Sequence, residues 1–360
     1  MNIEKELKKE GISIIGELDK FSVESIAKFV SKKICENLPD QHLDYNTLYA
    51  RIIKLPMYIA SMPEGISEAN YFYKNNSIYF RDGMGLSDLE KFAIHECIHH
   101  FQEIKDKNNN LKRLGLCEFF DFKVTGMALN EGAVQLITSK ALHNNMDTEK
   151  YYGITFPTLS SSYYPLLCNL VYQLAYITGE QVLFDSTLHS NDNFKNKIIN
   201  ACGEKSYNNI IKNLDKILYT EEKIIKLTSK LQSPNCSDKK SNKISILIDK
   251  LKSNIHDTFI KTQNLIMTSY FDNYYFNLYT TEDIDEFRNK LYNYKNLIGF
   301  NSGNNFYNTY YINTMSKLDL KYEEIMNNVY LINSKNNIII KFFNKLKQLL
   351  FNTNNEYTRK

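Results

Sequence analysis

Glycine and proline are scarce in this chain, and their scarcity limits the folds that it can adopt. The 360 residues include 13 glycines and 6 prolines, less than half of the roughly 12% that the two contribute on average. Because these residues mark most turns, a low content predicts long elements, and therefore helices rather than many short strands. We expect a helix-rich chain and not a mainly-β sandwich or propeller.

The charges and the apolar content are those of an ordinary globular protein. The chain has 44 Lys and Arg against 41 Asp and Glu, a formal net charge of +3, which gives no electrostatic footprint for nucleic acid. The sequence contains no signal peptide pattern and no apolar stretch of about 18 residues that would span a membrane. Six cysteines without a CxxC pair indicate reduced thiols. We therefore expect a cytoplasmic protein, with non-classical export as an alternative.

The segment His95-Glu96-Cys97-Ile98-His99 matches the HExxH pattern. Residues four apart lie on one face of a helix, so His95 and His99 can bind a single ion. Glu96 lies on the flank of that face, within reach of a water on the ion. Two imidazoles and one carboxylate suit zinc and leave a fourth position for that water. Zinc lowers the pKa of the water, and Glu96 is the expected general base.

The third ligand is expected downstream, where two carboxylates compete. Glu131 follows Asn130 at the start of a helix predicted over residues 129–142, which would give its carboxylate a fixed direction. Glu118 is nearer to His99 in sequence but lacks the Asn-Glu context. We expect Glu131 to be the ligand and keep Glu118 as the alternative.

An HExxH helix followed by Asn-Glu at the start of a second helix resembles the gluzincin metallopeptidases, the thermolysin-like branch of the zincins. The resemblance covers roughly residues 70–190 and rests on the spacing of these motifs. It implies an α+β fold with an active-site helix under a small antiparallel sheet, and a peptide or protein substrate. It implies zinc as the cofactor, with His95, His99 and Glu131 as ligands and Glu96 as catalytic base.

The chain departs from the gluzincin pattern at Gln135. Thermolysin-like enzymes place an Asp at this position, four residues after the third ligand, where it orients a zinc-bound histidine. Gln135 can accept a hydrogen bond but has no charge. The spacer before Glu131 is also longer than in those enzymes. The small metallopeptidases that cleave phage-type repressors show a sister pattern, usually within a shorter chain.

Local patterns predict the elements around the motif. Residues 45–81 are rich in β-branched and aromatic side chains, with a hairpin turn at residues 75–77. Ser87 and Glu90 form a capping box that predicts a helix from Ser87 to residues 107–110. This β segment before the helix would supply the strand that binds substrate.

The second half of the chain contains only helical patterns after a helix predicted over residues 164–179. We therefore predict a zincin-like metallopeptidase domain over residues 1–205 and a helical domain over residues 206–360. One continuous domain with a helical extension is the alternative. The basic, amphipathic stretch 338–347 is expected to pack on the helical domain, with contact to a membrane surface as the less favoured alternative.

A peptidase also needs a donor for the oxyanion that develops during the reaction. Tyr164 is our choice, and Tyr163 and His189 are alternatives. A peptide substrate would add as a strand along residues 78–80. Two other functions fit the same pattern: a non-catalytic, metal-stabilised regulatory or interaction protein, and a toxin or effector metallopeptidase. The sequence defines no oligomeric state.

Overall fold

Helices dominate the part of the chain that the computed structural model describes, as the scarcity of glycine and proline predicts. That part comprises residues 3–9, 11–62, 68–108, 110–120, 123–232, 237–300 and 306–353. The helices are α1 (Ile3–Lys9), α2 (Lys20–Asn37), α3 (Tyr45–Ile52), α4 (Leu86–Phe101), α5 (Met127–Ala141), α6 (Pro165–Thr178), α7 (Glu180–His189), α8 (Asn193–Cys202), α9 (Glu204–Leu231), α10 (Asp238–Tyr275), α11 (Thr281–Tyr294) and α12 (Phe306–Thr353). The strands are β1 (Ser13–Glu17), β2 (Met57–Ser61), β3 (Ala69–Phe72), β4 (Ser77–Arg81), β5 (Glu103–Lys105), β6 (Leu111–Leu114), β7 (Cys117–Phe120), β8 (Lys123–Thr125), β9 (Asp147–Tyr151) and β10 (Ile154–Thr158). The chain is thus α+β and rich in helix, with small sheets.

The first sheet has the strand order β1-β2-β4-β3. β3 and β4 form an antiparallel hairpin with Phe72 opposite Ser77, which confirms the turn predicted at residues 75–77. β2 and β4 run parallel, so this sheet is mixed rather than purely antiparallel. Tyr79 and Phe80 of β4 are fully buried, because β4 is an inner strand and α4 packs against it.

The predicted β region begins with a helix instead, so the prediction is wrong over α3. Asp44 caps α3, since its carboxylate accepts a hydrogen bond from Thr47 N at 2.7 Å. Leu48 and Ile52 are buried on one face. Their spacing of four residues is helical, and the β-branched composition of the segment concealed it.

α4 begins and ends earlier than predicted. Gly85 is its N-cap and no side chain caps it, so the capping box predicted at Ser87 is wrong. Glu90 instead accepts a hydrogen bond from Ser25 Oγ at 2.7 Å, which joins α4 to α2. The helix ends before residues 107–110 because the chain turns directly into β5, which pairs with β6.

Two further sheets were not predicted. The strands β5-β6-β7-β8 form an antiparallel meander in sequence order, and β9 pairs with β10. Each of these strands has three to five residues, too few for a period of two to stand out in the sequence. The meander connects the end of α4 to the start of α5 and therefore sets where α5 begins.

The chain divides into two compact units. The first is Met1–Asn273 with Asn296–Asn304, and the second is Tyr274–Lys295 with Asn305–Lys360. The boundary predicted at residues 205–206 falls within the first turn of α9, inside the first unit. α9 belongs to this unit because it packs against α5, α6 and α8, with Ile210, Leu214 and Ile217 fully buried.

In the described residues of the second unit, taken by itself, the regular elements are helices. Thr280 and Asp283 form a capping box at the start of α11. α11 packs on α12, and Tyr307 donates a hydrogen bond from its hydroxyl to Leu291 O at 2.8 Å. The basic stretch 338–347 lies in α12, and most of its side chains fall outside the described residues.

Candidate metal centre

α4 presents two imidazoles on one face. His95 and His99 are four residues apart, and their Nε2 atoms lie 3.0 Å from each other. Ile94 and Cys97, on the other side of the helix, are fully buried in the core. Packing on that side fixes the rotation of α4 about its axis, and so both imidazoles point the same way.

α5 carries the carboxylate that meets both imidazoles. Glu131 Oε2 lies 3.3 Å from His95 Nε2, and Glu131 Oε1 lies 3.5 Å from His99 Nε2. One ligand atom from each of the three side chains can be chosen so that all lie within 4.8 Å of one another. The structure thus brings together the three residues that the sequence predicted as ligands.

Packing holds α5 in this position. Most of its 15 residues are buried, against α4, α6, α7 and α9. Gly132 permits the close approach of α6, since a Cβ there would lie 2.8 Å from Val171 Cγ2. Asp215 of α9 accepts hydrogen bonds from Gly126 N and Ala128 N at 3.3 and 3.0 Å. A carboxylate from a distant helix therefore caps the helix that carries the third predicted ligand.

The three side chains stabilise one another's charges. Burial raises the pKa of Glu131, but the two imidazoles outweigh burial and hold that pKa well below its usual range. Burial lowers the pKa of His99, yet the neighbouring carboxylate of Glu131 outweighs it and raises the pKa to about 9. The negative charge of Glu131 is thus balanced by a proton on the imidazoles, and ligands of this kind release protons when they bind a metal.

The donor set fits zinc. His95 Nδ1 lies 3.0 Å from Gln135 Oε1, and His99 Nδ1 lies 3.3 Å from Gln102 Oε1. Because each Nδ1 has a partner, Nε2 is the atom that each ring offers to an ion. Two imidazole nitrogens and one carboxylate form the three-ligand set of open zinc sites.

Glu96 lies beside this cluster and has a separate partner. Its side chain is buried, and Oε2 accepts a hydrogen bond from the backbone N–H of Tyr71, in β3, at 2.7 Å. Tyr71 is itself held, since its hydroxyl donates to Glu103 Oε1 at 2.8 Å and lies 3.1 Å from His100 Nδ1. The strand thus fixes the position of this carboxylate.

A cavity of about 900 Å³ opens onto these groups. Its walls include β3, α4, α5, the meander β6-β7-β8 and the segment that precedes α6, and both imidazoles, Glu96 and Glu131 line it. Tyr163 connects two of these walls, because its hydroxyl donates to Glu68 Oε2 at 2.7 Å. Phe92 packs edge-on against the Tyr163 ring, with centroids 5.5 Å apart.

Two of the three predicted oxyanion donors line the cavity. Tyr164 has a φ of 49°, in the left-handed region that is costly for a bulky side chain, and its ring stacks 6.4 Å from that of His95. Tyr163 lines the cavity as well, with its hydroxyl engaged by Glu68. His189 is exposed at the end of α7 and does not line the cavity.

Among the described strands of the first sheet, β3 is the one whose outer edge faces the cavity unpaired, which corrects the substrate strand predicted at residues 78–80. Those residues lie in β4, and both edges of β4 are paired, with β2 and with β3. Glu68 O accepts a hydrogen bond from Arg81 N, so the backbone groups of the alternate residues Ala69 and Tyr71 point away from β4. A peptide at this wall of the cavity would pair with β3 through Ala69 and the C=O of Tyr71, because the N–H of Tyr71 donates to Glu96.

Glu118, the alternative third ligand, lies apart from the imidazoles. It belongs to β7, and its carboxylate forms an ion pair with Lys195 of α8 at 3.0 Å. Sequence reasoning missed Gln102, Tyr71 and Asp215 as supports of the site. Gln102 follows His99 by three residues, at the C-cap of the same helix, a spacing that could have been noticed, whereas the other two gave no local signal.

Comparisons of the chain with protein-family models, with curated proteins and with solved structures found no match. Within the described ranges, none of the helices combines the length and the apolar character needed to cross a membrane.

Proposed function

We propose that this chain is a zinc-dependent peptidase of the gluzincin type with a zincin-like catalytic fold. His95, His99 and Glu131 would hold the zinc ion, and Glu96 would act as general base. The observation that carries the proposal is their convergence in one cavity, next to the outer edge of β3. One helix would supply two ligands and the base, and a second helix would supply the third ligand, a set of groups that hydrolysis by a metal-activated water can use.

The proposed chemistry divides between the ion and the side chains. When bound, zinc would supply Lewis acidity, which polarises a carbonyl and acidifies a water. Glu96 would take the proton of that water through Oε1, because the N–H of Tyr71 holds Oε2. The same carboxyl group could then pass the proton to the leaving amine. Tyr164, which lines the cavity, is the proposed donor to the oxyanion.

The proposed substrate is an extended peptide that pairs with the free edge of β3. Backbone hydrogen bonds of this kind give affinity without reading side chains, and pockets beside the strand give specificity. Ala69 directs its backbone groups to that edge, and Tyr71 offers its C=O alone, since its N–H is bonded to Glu96. Phe92 and Tyr163, whose rings line the cavity, would contact substrate side chains.

The test is a pair of substitutions in one helix. Glu96→Gln removes the proposed base and keeps the shape, whereas Glu90→Gln makes the same change at a carboxyl bonded to Ser25 outside the cavity. Zinc content and hydrolysis of a fluorescently labelled, unfolded protein are measured for both variants and for the native chain. We expect one zinc per chain in all three, with hydrolysis reduced by at least about 10²–10⁴-fold in Glu96→Gln alone.

Two results would overturn the proposal. Equal hydrolysis by the two variants would mean that Glu96 is not the base. Zinc binding by a native chain that hydrolyses none of a broad set of peptides would favour the non-catalytic, metal-stabilised alternative.

A further inference from the structure

Neither imidazole of the cluster has a carboxylate at its Nδ1 atom. His95 Nδ1 faces the side-chain oxygen of Gln135, and His99 Nδ1 faces that of Gln102. An amide oxygen can only accept a hydrogen bond. If both oxygens are oriented as described, each imidazole must carry its proton on Nδ1.

Backbone groups determine the orientation of the Gln102 amide. The N–H of Leu116 donates to Asn130 Oδ1 at 3.0 Å, so the Nδ2 group of Asn130 is the one that faces Gln102. That Nδ2 donates to Gln102 Oε1 at 3.3 Å. The same oxygen lies 3.3 Å from His99 Nδ1. A backbone N–H therefore fixes two successive amides and, through them, the proton of His99.

A second chain of hydrogen bonds fixes the orientation of the Gln135 amide. Ser160 Oγ donates to the backbone oxygen of Tyr163 at 2.7 Å, so its lone pairs are left to accept. Gln135 Nε2 donates to Ser160 Oγ at 3.0 Å, which leaves Gln135 Oε1 toward His95. Here a backbone C=O, rather than an N–H, sets the direction of the chain.

The reverse orientation of Gln102 would bring two donors together. Gln102 is 1% exposed, and its Nε2 is buried without a hydrogen-bond partner in the described structure. Turning the amide would place Nε2 against Asn130 Nδ2 and against the Nδ1 proton of His99. The unpartnered nitrogen instead faces Gly115, where a Cβ would lie 2.5 Å from it. The structure thus leaves Nε2 of Gln102 without a hydrogen bond and keeps Oε1 at the imidazole of His99.

We propose that Gln102 and Gln135 are positioning residues that fix both histidines as Nδ1–H tautomers, so that both Nε2 lone pairs are directed at one ion. The inference rests on the proposed zinc site. It assigns to two uncharged amides a role that a carboxylate often has beside a zinc-bound histidine. The two chains of hydrogen bonds share no residue, so each should affect its own imidazole alone.

The experiment uses the full chain with each glutamine replaced in turn. Gln102→Met and Gln135→Met keep the length of the side chain and remove the acceptor, whereas Gln102→Glu and Gln135→Glu restore it. Gln173→Met, at a buried glutamine outside the cavity, is the matched control. Zinc affinity is measured by competition with a chelator, and the Nδ1–H protons of the zinc-loaded protein are followed by NMR.

We expect each Met variant to bind zinc about 10–100-fold more weakly and to lose the Nδ1–H signal of its own histidine only. Each Glu variant should bind at least as tightly as the native chain, and Gln173→Met should bind as the native chain does. A purely structural role would change both signals together and would not be rescued by Glu. Native affinity in both Met variants would overturn the inference while leaving the proposed peptidase intact. A native chain that binds no zinc would overturn both.

Discussion

The two helices that carry the candidate ligands differ in how much of the site their own sequences contain. α4 contributes two imidazoles and a carboxylate within five residues, on a helix with one apolar side. α5 contributes a single carboxylate from a helix buried on nearly every side. Spacing alone brings the groups of α4 together, whereas Glu131 reaches them only because other elements hold α5 in place. The comparison predicts that direct changes in α4 affect the site most and that supports of α5 affect it least.

The largest expected effect is that of His99→Ala. It removes one imidazole and should lower zinc affinity by at least about 100-fold, beyond the 10–100-fold range of residues that act through a ligand. His100→Ala is the matched control, since it removes the neighbouring imidazole, which contacts Tyr71 rather than the cluster. Chelator competition measures the zinc affinity of both variants. Equal affinity would mean that His99 of α4 is not a zinc ligand.

A smaller loss is expected from the helix that depends on packing. Glu131→Ala should lower zinc affinity by about 10-fold or more, since water can replace a lost carboxylate in part. Glu118→Ala, which removes the carboxylate paired with Lys195, should leave affinity unchanged. If Glu118→Ala lowered zinc affinity more than Glu131→Ala in the same titration, Glu118 would be the third ligand and α5 would supply none.

The close contact between α5 and α6 is tested by Gly132→Ala. The new Cβ would lie 2.8 Å from Val171 Cγ2 and 3.2 Å from Leu167 O. Overpacking costs about 1–3 kcal/mol, against roughly 1 kcal/mol that alanine gains over glycine in a helix. We expect the free energy of unfolding to fall by up to about 2 kcal/mol in urea denaturation. Gly85→Ala at the start of α4, where a Cβ meets nothing within 4 Å, should cost less, and an equal cost would contradict the packing argument.

The smallest effect is expected at the cap of α5. Asp215→Ala removes the acceptor for Gly126 N and Ala128 N, and loss of a cap costs about 0.5–2 kcal/mol. Burial already raises the pKa of Asp215, so the net loss should be near the lower end. Zinc affinity should fall slightly as well. Asp44→Ala, at the cap of α3, should cost similar stability in thermal unfolding and leave zinc affinity unchanged, which separates support of the site from support of the fold.

Several features could be predicted from the sequence for stated reasons. The abundance of helix follows from the low content of glycine and proline, and the hairpin at residues 75–77 follows from two aromatic runs around polar residues. The start of α4 was mispredicted because Ser87 and Glu90 fit a capping pattern, while Glu90 is in fact bonded to Ser25. The short strands of the meander were missed because three or four residues carry too little periodicity.

Two supports of the site, Tyr71 and Asp215, could not be predicted, because their contacts join segments far apart in sequence. Tyr71 meets Glu96 only after β3 has paired with β4 and α4 has packed on the sheet. Asp215 meets the start of α5 only after α9 has folded back onto it. The sequence also could not predict that the outer edge of β3, rather than β4, faces the cavity, since this depends on the order of strands in the sheet.

The sequence by itself determined the pairing of His95 with His99, because a helix repeats every 3.6 residues and places residues four apart on one face. Only the tertiary structure decided that Glu131, and not Glu118, meets these imidazoles, since no local period relates residues on separate helices. It also decided which atoms of the imidazoles face the cluster, through hydrogen bonds that end at backbone groups of distant segments. Local geometry follows from neighbours in the chain, whereas the position of the candidate third ligand and the orientation of the imidazoles follow from burial and packing in the first unit.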